Sequence, residues 1–150
     1  MRADLRMINK NRLSNIYNTV EKYLLNINKI QKFPLVNTDI INNVQLGVRG
    51  IYVIYDKGIP MYVGQAGGSI NINNESDKRL RQRLLQYTHK PNEDNKATQN
   101  VRNYLEDKPI KMSDLEFSYL VISDIDLIII AEQIAISILN NRYKNNLINK

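Results

Sequence analysis

The spacing of hydrophobic positions changes several times along the chain, and each change marks an element. Leu13, Ile16, Tyr17, Val20, Leu24 and Ile27 recur at helical spacing, with Asn15, Asn18, Glu21, Lys22 and Asn26 facing the other way. The pattern predicts an amphipathic helix over 10–31. Phe33-Pro34 ends it, because the residue before a proline avoids the helical region. Asn37 to Gln45 then reads as a polar connector. From Val48 to Tyr55 the residues are mostly β-branched or aromatic, Asp56-Lys57-Gly58 signals a turn, and Ile59 to Val63 resumes the β pattern. This is a hairpin. Pro60 cannot donate to a strand ladder, so the second strand is expected at the sheet edge.

After the hairpin, Gly67 to Ser76 is a loop rich in asparagine. A basic helix over 77–88 follows, with Leu80, Leu84 and Tyr87 on one face and Asn74 or Ser76 as its N-cap. Pro91 to Asn95 breaks the chain before a helix over 96–107 that carries Val101, Tyr104 and Leu105. Leu115 to Ser123 reads as a strand, Asp124-Ile125-Asp126 as a connector, and 127–142 as the most apolar helix of all. The order helix, hairpin, helix, helix, strand, helix predicts an α+β domain around a small sheet.

Composition narrows the chemistry. The chain has 150 residues, enough for one sizeable core. It has no cysteine, which excludes disulfides, thiolate metal sites and a cysteine nucleophile. With His89 as the sole histidine, metal sites built from His pairs are excluded and a Ser-His-Asp triad is disfavoured. The balance of 21 Lys and Arg against 15 Asp and Glu gives +6, which favours an anionic partner. Met-Arg-Ala-Asp-Leu-Arg at the start carries no apolar signal region, and Asp124, Asp126 and Glu132 interrupt the apolar stretch from Phe117 to Leu139. The expectation is a soluble, cytoplasmic protein with no membrane partner.

Three features call for more than packing. Gly50-Ile51-Tyr52 and Tyr62-Val63-Gly64 mirror each other across the hairpin. A three-residue loop would pair Tyr52 with Tyr62 on one face, whereas a two-residue loop would set them on opposite faces, since one residue of slip inverts every side chain. Lys78, Arg79, Arg81 and Arg83 place four cations in six residues. Arg83, next to Leu84, borders the packed face and could grip a phosphate oxygen with two parallel hydrogen bonds. Glu132 has Ile128, Ile129, Ala135 and Ile136 as its helical neighbours, an expensive place for a carboxylate that is neither paired nor metal-bound.

Gly-Ile-Tyr at 50–52, Tyr-Val-Gly at 62–64, the Leu80–Tyr87 segment with Arg83 and Tyr87 four residues apart, and an apolar helix holding Glu132 ahead of Asn145 and Asn146 occur in that order. Together they resemble the GIY-YIG nuclease superfamily over roughly residues 47–146, with the layout of its small type II restriction endonucleases. Three departures stand out. The segment Ala66 to Ser76 is long, Tyr87 stands where many members have histidine with His89 two residues on, and either Asn145 or Asn146 fits the terminal asparagine, Asn146 being preferred.

The resemblance implies a small, mostly antiparallel three-stranded sheet flanked by helices in 47–150, with 1–46 as an N-terminal helical arm. It further implies hydrolysis of a DNA phosphodiester with one divalent ion, Mg²⁺ or Mn²⁺, held by Glu132 as the single protein ligand. In that scheme Arg83 holds a phosphate oxygen, Tyr52 is the general base, Tyr62 and Tyr87 orient water or phosphate, and Asn146 fixes the metal-binding helix. Lys78, Arg79 and Arg81 would contact duplex DNA. Cutting both strands with one site per chain implies a symmetric homodimer, with the 10–31 helix either at that contact or packed on its own sheet. The competing readings are an inactive DNA-binding module of the same fold, a repair-type or toxin nuclease, and a basic adaptor domain.

Overall fold

The computed structural model describes residues 10–68, 78–90, 95–144 and 146–149. Helices α1 (Lys10–Leu25), α2 (Asn37–Asn43), α3 (Leu80–Leu85), α4 (Lys96–Leu105) and α5 (Ile128–Tyr143) surround strands β1 (Phe33–Pro34), β2 (Gly50–Asp56), β3 (Ile59–Ala66) and β4 (Glu116–Val121). The sheet runs β1-β4-β2-β3 with every neighbouring pair antiparallel. The architecture is therefore α+β with four strands, one more than expected. The extra strand is short: Phe33 pairs with Phe117 and Pro34 with Glu116, and the Leu35 N–H continues onto the Leu115 carbonyl at 2.9 Å. Pro34 is tolerated because β1 lies on an edge, as Pro60 is on the opposite edge in β3.

β2 lies between β4 and β3, and Gly50 through Tyr55 are buried on both faces, which accounts for the unbroken apolar run in the sequence. Alternate residues serve two cores. Ile51, Val53 and Tyr55 pack with α1 and α5, while Tyr52 and Ile54 pack with residues of α2, α3 and α4. Ile16, Val20, Tyr23 and Leu24 of α1 are all buried. The Tyr23 and Tyr55 hydroxyls both meet Ser118 Oγ on β4, the second at 2.7 Å. Arg12 spans to Asp124 and Asp126, and Arg142 Nη1 donates to the Leu24 carbonyl at 2.6 Å. Within residues 10–46, α1 packs on one face of its own sheet, β1 forms one edge, and Ile40 of α2 packs with the core on the other face.

Helix limits differ from the sequence reading for local reasons. α1 ends at Leu25, and 26–30 continues as turns. The Asn26 side-chain amide takes the Lys22 carbonyl, in competition with the helical ladder. α2 occupies the segment expected to be a connector. Its capping is tertiary: Arg81 Nε donates to the Val44 carbonyl at 2.8 Å and Nη2 to the Ile41 carbonyl at 3.0 Å. α3 is shorter than the expected 77–88, and Tyr87 sits on a following 3₁₀ turn, Gln86–Thr88. The proposed caps Asn74 and Ser76 lie outside the described residues, as does Asn145.

Candidate active site

The hairpin resolves the register question in an unforeseen way. Asp56 pairs with Ile59 around a two-residue turn in which Lys57 and Gly58 have φ of 53° and 81°. Taken alone, that turn would set the two tyrosines on opposite faces. The register then shifts between Ile54 and Tyr55, so Tyr55 pairs with Pro60 but Ile54 with Tyr62, leaving Met61 as an extra residue. A bulge of this kind restores the parity. Tyr52 and Tyr62 end on the same face, with ring centroids 6.5 Å apart.

Gly64, opposite Tyr52, supplies the space. A Cβ there would lie 2.2 Å from both Cζ and Oη of Tyr52, so the phenol ring occupies room that only glycine leaves open. Gly50 has φ +154°, and a Cβ there would meet the Leu120 carbonyl oxygen at 1.9 Å, so the first motif glycine is needed for close approach to β4.

Tyr87 comes to the same face from the 3₁₀ turn. Its ring meets Tyr52 edge-on at 6.0 Å, and the two hydroxyls are 2.7 Å apart. Tyr52 is wholly buried and Tyr62 is 8% exposed. α3 is fixed beside them by the Leu80 N–H on the Val48 carbonyl at 3.0 Å, with Leu80 and Leu84 buried beneath it. Arg83 projects from this helix, and its Nε is buried with no hydrogen-bond partner among the described residues. A buried donor left unpaired is costly, so the guanidinium is prepared for an acceptor. Glu132 arrives on α5, which packs along β3 and β2.

Arg83 and Glu132 also act electrostatically on the tyrosines. Burial and then the carboxylate of Glu132 push the Tyr62 phenol up to about 12, while the charge of Arg83 opposes the rise. Burial, followed by Tyr62, raises Tyr52 well above the usual phenol range, and the Tyr87 hydrogen bond and Arg83 only partly offset this. Tyr87 is raised chiefly by burial too. Burial raises Glu132 to about 7, against the lowering effects of its hydrogen bond with Gln133 and of Arg83. Burial therefore favours the neutral, hydrogen-bonding form of the Tyr52 phenol. The general-base role expected of it meets this physical obstacle, because burial disfavours the charged form.

The remaining candidates divide. Lys78 is exposed, and Arg79, the N-cap of α3, is half-buried. Arg81, in contrast, spends its guanidinium on the end of α2. Asn146 is exposed, in a cleft with Lys57, Pro60 and Lys108 near the hairpin turn. The asparagine that ties this end of the chain to the sheet is Asn149. Its Nδ2 donates to the Val63 carbonyl and its Oδ1 accepts from the Val63 N–H, both at 2.7 Å. The Ile148 N–H bonds the Met61 carbonyl at 2.8 Å. The tail therefore covers the open edge of β3 between the two layers. Nothing in the sequence singled out Asn149, one asparagine among many.

Among the described residues no three His, Asp or Glu side chains gather as a metal cage. Glu132 is half-buried, and the buried Nε of Arg83 has no hydrogen-bond partner among the described residues; once deprotonated, the first would suit a divalent ion, and the second would suit a phosphate oxygen. Glu132 would hold the ion and Arg83 the phosphate, and the ion would supply charge stabilisation for the leaving oxygen. No family model, no curated protein and no solved structure matches this chain.

Proposed function

We propose that this chain is a metal-dependent DNA endonuclease of the GIY-YIG kind, a phosphodiester hydrolase acting on duplex DNA in a sequence-specific, restriction-type manner. The observation that carries the reading is the buried Nε of Arg83, without a hydrogen-bond partner among the described residues, in a guanidinium whose charge acts on Glu132, Tyr52 and Tyr62. An anion brought to Arg83 satisfies a donor that no described residue satisfies, and a cation brought to Glu132 stabilises a carboxylate whose burial favours its protonated form. The two phenols remain neutral donors. Tyr62, the one with some exposure, orients the attacking water, and Tyr52 with Tyr87 holds that ring in place. The restriction-type assignment rests on the order and spacing of the sequence motifs, and the homodimer on the need to cut two strands.

Incubation of the purified chain with supercoiled plasmid and Mg²⁺ or Mn²⁺ tests this. Nicked or linear product that EDTA abolishes is expected, and Glu132→Ala should bind DNA without cutting it. A fixed sequence at the sequenced ends supports restriction, while scattered ends point to a repair or toxin nuclease. Binding with no cleavage under any metal overturns the enzyme reading in favour of an inactive DNA-binding module, which the complete burial of Tyr52 favours.

A further inference from the structure

Tyr87 sits on a three-residue 3₁₀ turn, Gln86–Thr88, that follows the six-residue helix α3. Elements this short have little persistence of their own. Yet the Tyr87 ring is buried, and its hydroxyl lies 2.7 Å from that of Tyr52. Two bonds that fix the turn come from α4. Asn95, the N-cap of α4, accepts the Thr98 N–H on Oδ1 at 2.8 Å and donates from Nδ2 to Gln86 Oε1. Two helical turns later, Arg102 Nη2 donates to the His89 carbonyl at 3.0 Å. Residues seven apart share a helix face, so one face of α4 grips the chain on both sides of Tyr87.

The same helix reaches the strand that carries Tyr52. The Tyr104 hydroxyl donates to Asp56 Oδ2, on the last residue of β2, at 2.7 Å. Val101 and Leu105 of α4 are buried in the core layer that holds Tyr52 and Tyr87. α4 is thus tied to the turn bearing Tyr87 and to the strand bearing Tyr52. The clasp on Gln86 bears on Arg83 as well, because the Gln86 N–H bonds the Gln82 carbonyl and Arg83 lies in that last turn of α3. We propose that α4 is a strut that sets the Tyr52–Tyr87 contact, with Asn95 and Tyr104 as positioning residues acting through Gln86 and Asp56. What the contact serves, the alignment of Tyr62 and Arg83 on a scissile phosphate, rests on the nuclease reading; the strut itself does not.

Asn95→Ser and Asn95→Asp separate positioning from capping. Both side chains cap a helix about as well as asparagine does. Serine is too short to reach Gln86, whereas a carboxylate oxygen accepts from the Gln86 amide once that amide turns its nitrogen inward. Single-turnover cleavage at saturating DNA should therefore be about tenfold slower in Asn95→Ser and close to the parent rate in Asn95→Asp, with DNA affinity unchanged in both. Tyr104→Phe, which removes the other anchor, should be slowed likewise. The loss caused by Asn95→Ser should vanish in a Tyr87→Phe background, because both changes act through one hydroxyl. A parent rate in Asn95→Ser, equal slowing by serine and aspartate, or a loss that persists without the Tyr87 hydroxyl reduces Asn95 to a cap and overturns the proposal.

The Tyr87 ring signals in nuclear magnetic resonance spectra, assigned by their disappearance in Tyr87→Phe, carry the test independently of cleavage. They should move in Asn95→Ser and Tyr104→Phe and return in Asn95→Asp. Signals that move in this way in a chain that cuts no DNA keep the strut and remove the nuclease. Unmoved signals beside metal-dependent cleavage do the reverse.

Discussion

Gly64 and Tyr52 face each other across the β2–β3 ladder, and the Tyr52 ring fills the position that a side chain at residue 64 would need. The second motif glycine is thus a packing requirement of the first motif tyrosine. Gly64→Ala puts a methyl group 2.2 Å from the phenol carbon and oxygen of a wholly buried ring. Either the ring leaves its place and gives up the Tyr87 hydroxyl, or β3 moves outward. Overpacking of this kind costs about 1–3 kcal/mol. The expected result is a lower urea midpoint with an unchanged slope, together with lost cleavage. A variant as stable as the parent would mean that the ring has another place to go.

The two motif tyrosines should separate in their effects. Tyr52→Phe leaves the buried Tyr87 hydroxyl without its partner, so stability should fall by about 1 kcal/mol. Tyr62 has a little exposure and lies in the field of both Glu132 and Arg83. Tyr62→Phe should keep stability within about 0.5 kcal/mol while cutting the cleavage rate about 100-fold or more. Initial rates on plasmid, read beside urea unfolding, check both. Equal losses of rate with no stability difference would restore a direct chemical role to Tyr52.

How much of this could be read from the chain depends on where the determining contacts lie. Gly50 to Tyr55 announced a strand through its run of β-branched and aromatic residues, which burial on both faces explains, and Glu132 stood out because its helical neighbours are apolar. β1 escaped notice because two residues carry no period; Phe33 pairs with Phe117, 84 positions away. α2 escaped because a short segment of asparagine and isoleucine has little intrinsic helicity, and its last carbonyls are held by Arg81 from a distant helix. The same contact engages the guanidinium of Arg81, expected on the DNA face, with the end of α2. The bulge at Met61, which decides whether the phenols meet, is a sheet-level adjustment that no local residue signals.

Asn149 and Asn146 should also behave differently. The Asn149 amide imitates a strand neighbour by meeting both the N–H and the carbonyl of Val63, the residue between Tyr62 and Gly64. Asn149→Ala leaves both backbone groups of that edge to solvent or unpaired, a loss of about 1–3 kcal/mol. It should also slow cleavage by loosening Tyr62. Asn149→Asp keeps the acceptor but turns a carboxylate toward a carbonyl, and should be no better. Asn146→Ala should change the urea midpoint by less than the equivalent of about 0.5 kcal/mol. If Asn146 proves the more sensitive position, the tail is held otherwise than through Val63.

The raised carboxyl of Glu132 gives a pH signature with a definite sign. Burial lifts it from an ordinary 4.5 to about 7, so the folded, metal-free chain holds this proton more tightly than the unfolded chain does. Its contribution to stability is present in full below about 4.5 and is lost as pH rises through about 7. Glu132→Gln keeps the neutral shape, so the metal-free variant should exceed the parent at pH 8 by on the order of 1–2 kcal/mol, solvent access to the half-buried group reducing the effect. Metal binding runs the opposite way, because the ion needs the carboxylate. Affinity for Mn²⁺ should fall about tenfold per pH unit below this point and level off above it, while Glu132→Gln should bind none. Titration calorimetry between pH 5.5 and 8.5 on the folded protein measures this directly. A flat affinity across that range would remove Glu132 as the ligand, since a carboxylate that must lose a proton near neutrality cannot bind a cation equally well on both sides of it.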